Sequence, residues 1–148
     1  MFATLAWVRQ GTVDLDRAFA DGFPGARLEL PSPSQTAHFG VRFAEFPQRV
    51  FQAPELSDGT LRYLSLMGAL LGYRLPAFIA LNEPEASLHP DLLRPLARMI
   101  ARAAQRTQIW LVSHSAPLAD AVAAEAGVAP LVVAKRDGAT WVEEAEDD

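Results

Sequence analysis

The chain has 148 residues, half of them apolar and 21% charged, with a net charge of −5 and no cysteine. This is about the size of one domain, with an ordinary globular balance and no apolar run near the ~18 residues of a membrane span, so a soluble protein is expected. The excess of acid, gathered in the tail EEAEDD, gives no overall attraction for nucleic acid or an anionic membrane, and nucleic-acid binding would need a local basic patch. The opening MFATLAWVRQGTV lacks the basic and long apolar regions of a secretory signal, which predicts a cytoplasmic location.

In chain order, the first fifty-odd residues alternate short β-like runs with turn formers. Arg27 to Leu30 and Phe39 to Phe46 show two-residue alternation punctuated by Gly, Pro and Ser. A small antiparallel layer is predicted here, least defined through Asp21. From Thr60 the period changes: Leu61, Leu64, Met67, Leu70 and Leu71 recur at three and four residues behind the capping candidates Ser57 and Asp58, predicting an amphipathic helix to about Tyr73.

After Pro76 a strand is predicted over Ala77–Leu81, then a helix from near Pro90 in which Pro95 could introduce a bend. The next strand is QIWLV, Gln108–Val112, followed by SHSAP and an alanine-rich helix that ends by Gly127. Leu131–Ala134 and Thr140–Glu143 flank Arg136-Asp137-Gly138-Ala139, a hairpin signal. Strand, helix and strand with buried apolar runs form a βαβ unit with parallel strands, both expected to be covered on both faces. Asn82-Glu83 and Ser113-His114 then fall at carboxyl ends of neighbouring strands, where open α/β sheets bind ligands, and Glu83 should lie near His114.

Three motifs in this order resemble the ATP-binding-cassette-type P-loop ATPases, in particular the AAA-family ATPases similar to recombination and chromosome-maintenance ATPases. FIALNEPE resembles Walker B with its catalytic glutamate, LSDGTLRYL the signature motif, and LVSHS the strand end with the switch histidine. The matched region runs from about Glu55 to Pro117. The resemblance implies a partial P-loop NTPase-like three-layer α/β domain: a parallel βαβ core, an antiparallel β layer and a C-terminal hairpin. It is expected as a single partial domain, mostly antiparallel β over 1–55 and α/β over 56–148.

The same resemblance implies roles. Glu83 would hold or deprotonate the attacking water, the positioning task that phosphoryl transfer demands. His114 would hydrogen-bond a γ-phosphate oxygen or that water. Ser57, Asp58 and Gly59, at a helix amino end suited to anions, would meet the γ-phosphate held by an opposite subunit, which makes a homodimer part of the chemistry. Ser87 and His89 occupy the D-loop position at the dimer interface.

Two departures qualify this picture. Asn82 stands where an acid normally holds the magnesium hydration shell; its amide can bond a metal-bound water but brings no charge. Nothing in the chain fits GxxxxGK[ST], and Lys135 is its single lysine. ATP and Mg2+ therefore require a P-loop from a missing segment or a partner chain. The alternatives are a nucleotide-free ATPase-like interaction module and a metal-dependent hydrolase or nuclease built on Glu83, Glu85, His89 and His114. The arginines at 94, 98, 102 and 106 are read as a solvated face with local salt bridges, and the tryptophans at 7, 110 and 141 as packing residues.

Overall fold

A computed structural model describes residues 14–30 and 39–144. Trp7, the rest of the opening segment and the end of the acidic tail lie outside the described residues. The first element among the described residues is a helix, α1 (Asp14–Gly22), and not part of an antiparallel layer. The reason is its period: Leu15, Ala18 and Phe19, at i, i+3 and i+4, are the residues it buries.

The antiparallel layer exists but is short. It comprises β1 (Arg27–Glu29), β2 (Gly40–Arg42) and β3 (Phe51–Gln52), in the order β1-β2-β3, so the strand expected over Phe39–Phe46 keeps only three residues. Leu28 pairs with Val41 and Val41 with Phe51, and the first two are fully covered. A 3-10 turn over Ala53–Glu55 leads to α2 (Asp58–Leu70). This helix starts where Ser57 Oγ accepts the Thr60 N–H, and it buries Tyr63, Leu64, Met67 and Leu70.

The centre of the chain is β4 (Phe78–Asn82), a 3-10 turn (Pro90–Leu92), α3 (Leu93–Ala104) and β5 (Gln108–Val112). The two strands pair in parallel from Phe78–Gln108 to Asn82–Val112. Pro95 sits in the first turn of α3, where its missing N–H has no intrahelical partner to lose, and it is buried there. The helix packs Leu96, Ala97, Met99, Ile100 and Ala103 into the core. Ser115 caps α4 (Ala116–Ala126), which stops at Gly127 in the left-handed conformation. The hairpin β6 (Leu131–Arg136) and β7 (Ala139–Glu144) turns through Asp137 and Gly138, both at positive φ as a two-residue primed turn requires.

The expectation that β4 and β5 are covered on both faces is corrected. Ile79, Leu81, Ile109 and Leu111 face the helices and join the core, but Phe78, Trp110 and Val112 on the other face are 49%, 60% and 40% exposed. The helix α3 packs against β5 from the inner side of this alternating pattern, and among the described residues the outer side chains Phe78, Trp110 and Val112 stay exposed. Among the described residues, no helix is long and apolar enough to cross a membrane.

Two arginines of the predicted basic stripe, Arg98 in α3 and Arg106 just beyond it, are committed within the fold. Arg98 bridges Asp21 at 3.1 Å and Glu125 at 3.5 Å, linking α1, α3 and α4. Arg106 donates to the carbonyls of Gly72 and Tyr73, and Thr107 to that of Pro76, which anchors the loop ahead of β4. Between α1 and α2 the join is Tyr63. Its ring lies against Gly22, where a Cβ would come within 2.8 Å, and its hydroxyl donates to Ala18 O at 3.1 Å. Burial, reinforced by Asp21, pushes the phenol well above its ordinary value, so it remains a donor at neutral pH. Tyr63→Phe should therefore cost about 1 kcal/mol of unfolding free energy in urea titration, one net buried hydrogen bond, with the m-value unchanged.

Candidate functional site

The parallel register carries both polar strand ends to one edge. The Glu83 N–H continues the ladder to Val112 O at 2.8 Å, and the chain then turns sharply, with Glu83 at φ 43°. A glutamate in this left-handed region costs about 1–3 kcal/mol and needs surrounding contacts to hold it. The turn aims the side chain at the β5 end, where Glu83 Oε1 lies 3.5 Å from His114 Nε2. Both side chains are open to solvent, His114 more so.

Two sets of contacts hold the turn. From α2, Arg62 donates to the carbonyls of Glu83, at 2.7 Å, and Pro84, at 3.3 Å. Gly59 meets Ser87, itself at φ 66°, so closely that a Cβ on the glycine would stand 2.5 Å from the Ser87 carbonyl oxygen. Within the turn, Ala86 N bonds Glu83 O and Leu88 N bonds Glu85 O. From the other side, Glu85 Oε1 accepts from Ser113 Oγ at 2.6 Å and from His114 N at 3.2 Å, and Ser113 Oγ accepts from Ser115 N at 3.0 Å.

The residues singled out in the sequence thus fall into groups. Glu83 and His114 are brought together. Ser57, Asp58 and Gly59 begin α2, and Gly59 abuts the turn that carries Glu83; the Ser57 hydroxyl is engaged with Thr60 as a cap. Asn82 ends β4 on the open face of the sheet, opposite Val112. His89 lies apart from the pair and uses Nδ1 to accept the Asp91 N–H, capping the 3-10 turn before α3.

The four residues of the metal-hydrolase alternative do not converge. Among the described residues there is no group of three or more His, Asp or Glu placed to hold a metal ion. Asn82 with Glu83 would offer Mg2+ one neutral amide and one carboxylate, a set that fits it only together with phosphate oxygens. Sequence reasoning did not single out Arg62, whose signal was a cation inside a leucine-patterned helix, nor the part Glu85 plays in holding the β5–α4 loop.

The description "AAA domain, putative AbiEii toxin, Type IV TA system" matches residues 15–120. The chromosome partition protein Smc of Synechococcus sp. is 31% identical over 123 residues, 77% of this chain but 10% of that protein. An SMC ATPase studied for ATP-driven dimerization and DNA-stimulated activation superposes with a TM-score of 0.70 at 17% identity, over 98% of this chain and 87% of that one. The Smc head domain of Pyrococcus furiosus, with an extended coiled coil and bound to the C-terminal domain of ScpA, gives 0.68 at 21% identity, over 95% of this chain and 34% of that one. This chain thus spans about a tenth of the curated relative. The fold it shares with the SMC heads is the α/β P-loop NTPase fold.

The contact of Gly59 with Ser87 O is backbone against backbone and cannot be relieved by a rotamer change. Gly59→Ala should lower stability by about 1–3 kcal/mol and broaden or shift the amide resonances of residues 83–88 in 15N–1H spectra.

Proposed function

This chain belongs to the AAA-domain family of P-loop ATPases, related to chromosome-maintenance ATPases, and from that premise we propose that it supplies the signature, Walker B and switch-histidine half of an ATPase site. ATP is bound and hydrolysed at a dimer interface once a phosphate loop is contributed by another segment or a partner chain. The observation that carries this reading is the Glu83–His114 pair, 3.5 Å apart at the carboxyl ends of two adjacent parallel strands, with Glu83 held in a strained turn.

In this arrangement the Glu83 carboxylate accepts a hydrogen bond from the attacking water and orients it in line with the γ-phosphorus, taking its proton as the P–O bond to ADP breaks. His114 donates to a γ-phosphate oxygen, so the same loop senses whether that phosphate is present. The amino end of α2, with Ser57, Asp58 and Gly59, faces the γ-phosphate of the opposite subunit, where the aligned peptide dipoles favour an anion. Ser87 and His89 lie along the dimer contact. Bound Mg2+ would neutralise phosphate charge; Asn82 would hold one of its waters through a neutral amide, leaving the charge to the phosphates and Glu83.

The open face of β4–β5 supports the need for a further layer, because parallel sheets are normally covered on both sides. The same face also favours the second reading, a nucleotide-free module that uses its exposed Phe78, Trp110 and Val112 to bind a partner.

Titration calorimetry separates the two. The isolated chain should show no MgATP binding below millimolar concentration, and adding a P-loop-bearing partner should produce ATP hydrolysis. In that assembly Glu83→Gln should lower kcat about 100-fold or more while ATP binding persists. Micromolar binding by the chain alone would overturn the assignment of the phosphate loop elsewhere, and unchanged hydrolysis in the Gln variant would overturn the role of Glu83. Partner binding with no hydrolysis by the unmodified assembly would favour the interaction module.

A further inference from the structure

Glu85 differs from the other acids around the strand ends in where its bonds go. Oε1 takes two donors, Ser113 Oγ and the His114 N–H, both from the loop after β5. Oε2 is buried and has no hydrogen-bond partner. All of the polar interaction of this carboxylate therefore runs across the gap between the two strand ends. Through Ser113 it extends one step further, because the same hydroxyl accepts the N–H of Ser115, whose own side chain caps α4.

These bonds close a ring. Residues 83–85 and 112–114 are joined at one side by the Glu83 N–H to Val112 O and at the other by Glu85 Oε1 to Ser113 and His114. The Glu83–His114 contact lies between these two ties. The His114 side chain is mostly exposed and that of Glu83 about half-covered, and at 3.5 Å their mutual contact is too long to orient them unaided. The backbone of the loop must be held instead, and Glu85 is what holds it.

We propose that Glu85 is a positioning residue: its carboxylate clamps the Ser113 hydroxyl and the His114 N–H so that the imidazole meets the Glu83 carboxylate. This inference rests on the ATPase reading for its catalytic consequence and on the hydrogen-bond ring alone for its structural one. A γ-phosphate-dependent movement of His114 would have to work against this clamp, so Glu85 also sets how readily the histidine leaves Glu83.

Two arms test it. In amide hydrogen exchange on the full chain, Glu85→Ala should speed exchange at His114 and Ser115 about tenfold or more beyond any change in the rest of β4–β5. Glu85→Gln keeps an acceptor at Oε1 and should restore most of the protection, even though its amide group must be buried without an acceptor. Unchanged exchange in the Ala variant, or equal acceleration along all of β4 and β5, would overturn the clamp. In the assembly completed by a P-loop partner, E85A should lower kcat at least tenfold with KM for ATP unchanged, and E85Q should recover most of it. Loss of loop protection without loss of kcat would overturn the catalytic part. If the unmodified assembly hydrolyses no ATP, the ATPase reading fails and the exchange arm alone decides the clamp.

Discussion

The parallel pairing of β4 with β5 is the constraint on which the rest of the molecule depends. Because residues pair directly from Phe78–Gln108 to Asn82–Val112, the strands finish level, and the chain after each must turn at the same edge. A slip of either strand by one residue would invert its inward and outward sets and move Leu81 or Leu111 out of the core. Burial of Ile79, Leu81, Ile109 and Leu111 against the helices thus fixes, at a distance, which residues can meet at the strand ends.

The turn from Glu83 to Leu88 is held by contacts from both neighbours. α2 holds its carbonyls through Arg62 and its far side through Gly59, whereas the β5–α4 loop is held through Glu85. These contacts offset the cost of a glutamate and a serine in left-handed conformations. They also tie the start of α2, the Glu83 turn and the His114 loop to one another.

The open face of the central pair sets the limits of the unit. A two-stranded parallel sheet that exposes Phe78, Trp110 and Val112 leaves apolar surface for another layer, and the hairpin β6–β7 likewise exposes Val133, Trp141 and Val142. In the site, the chemistry that the described residues lack is the cradle for phosphate.

Several elements were legible because their signals are local. The QIWLV strand, the Ser57 cap, the Gly127 stop and the Asp137-Gly138 turn follow from apolar period, hydroxyl caps and positive-φ chemistry, each decided within a few residues. The likeness of the three motifs to the ATPase family was also readable there, since residue types and order are linear properties. The α1 helix was not read, although Leu15, Ala18 and Phe19 already stand at i, i+3 and i+4, because over nine residues that period is short and the packing that makes the helix stable comes from elsewhere in the chain. The uncovered sheet face was missed for a related reason: an apolar run records that a strand can be buried on both sides, not that both covering layers are present. Arg62 and Glu85 acquire their parts only from long-range proximity, 21 residues to Glu83 in one case and 28 to Ser113 in the other. By itself the sequence determined most of the elements and the candidate chemistry. Tertiary structure alone decided which polar groups are bound to one another, because hydrogen bonds across strand ends depend on register and packing that no short stretch encodes.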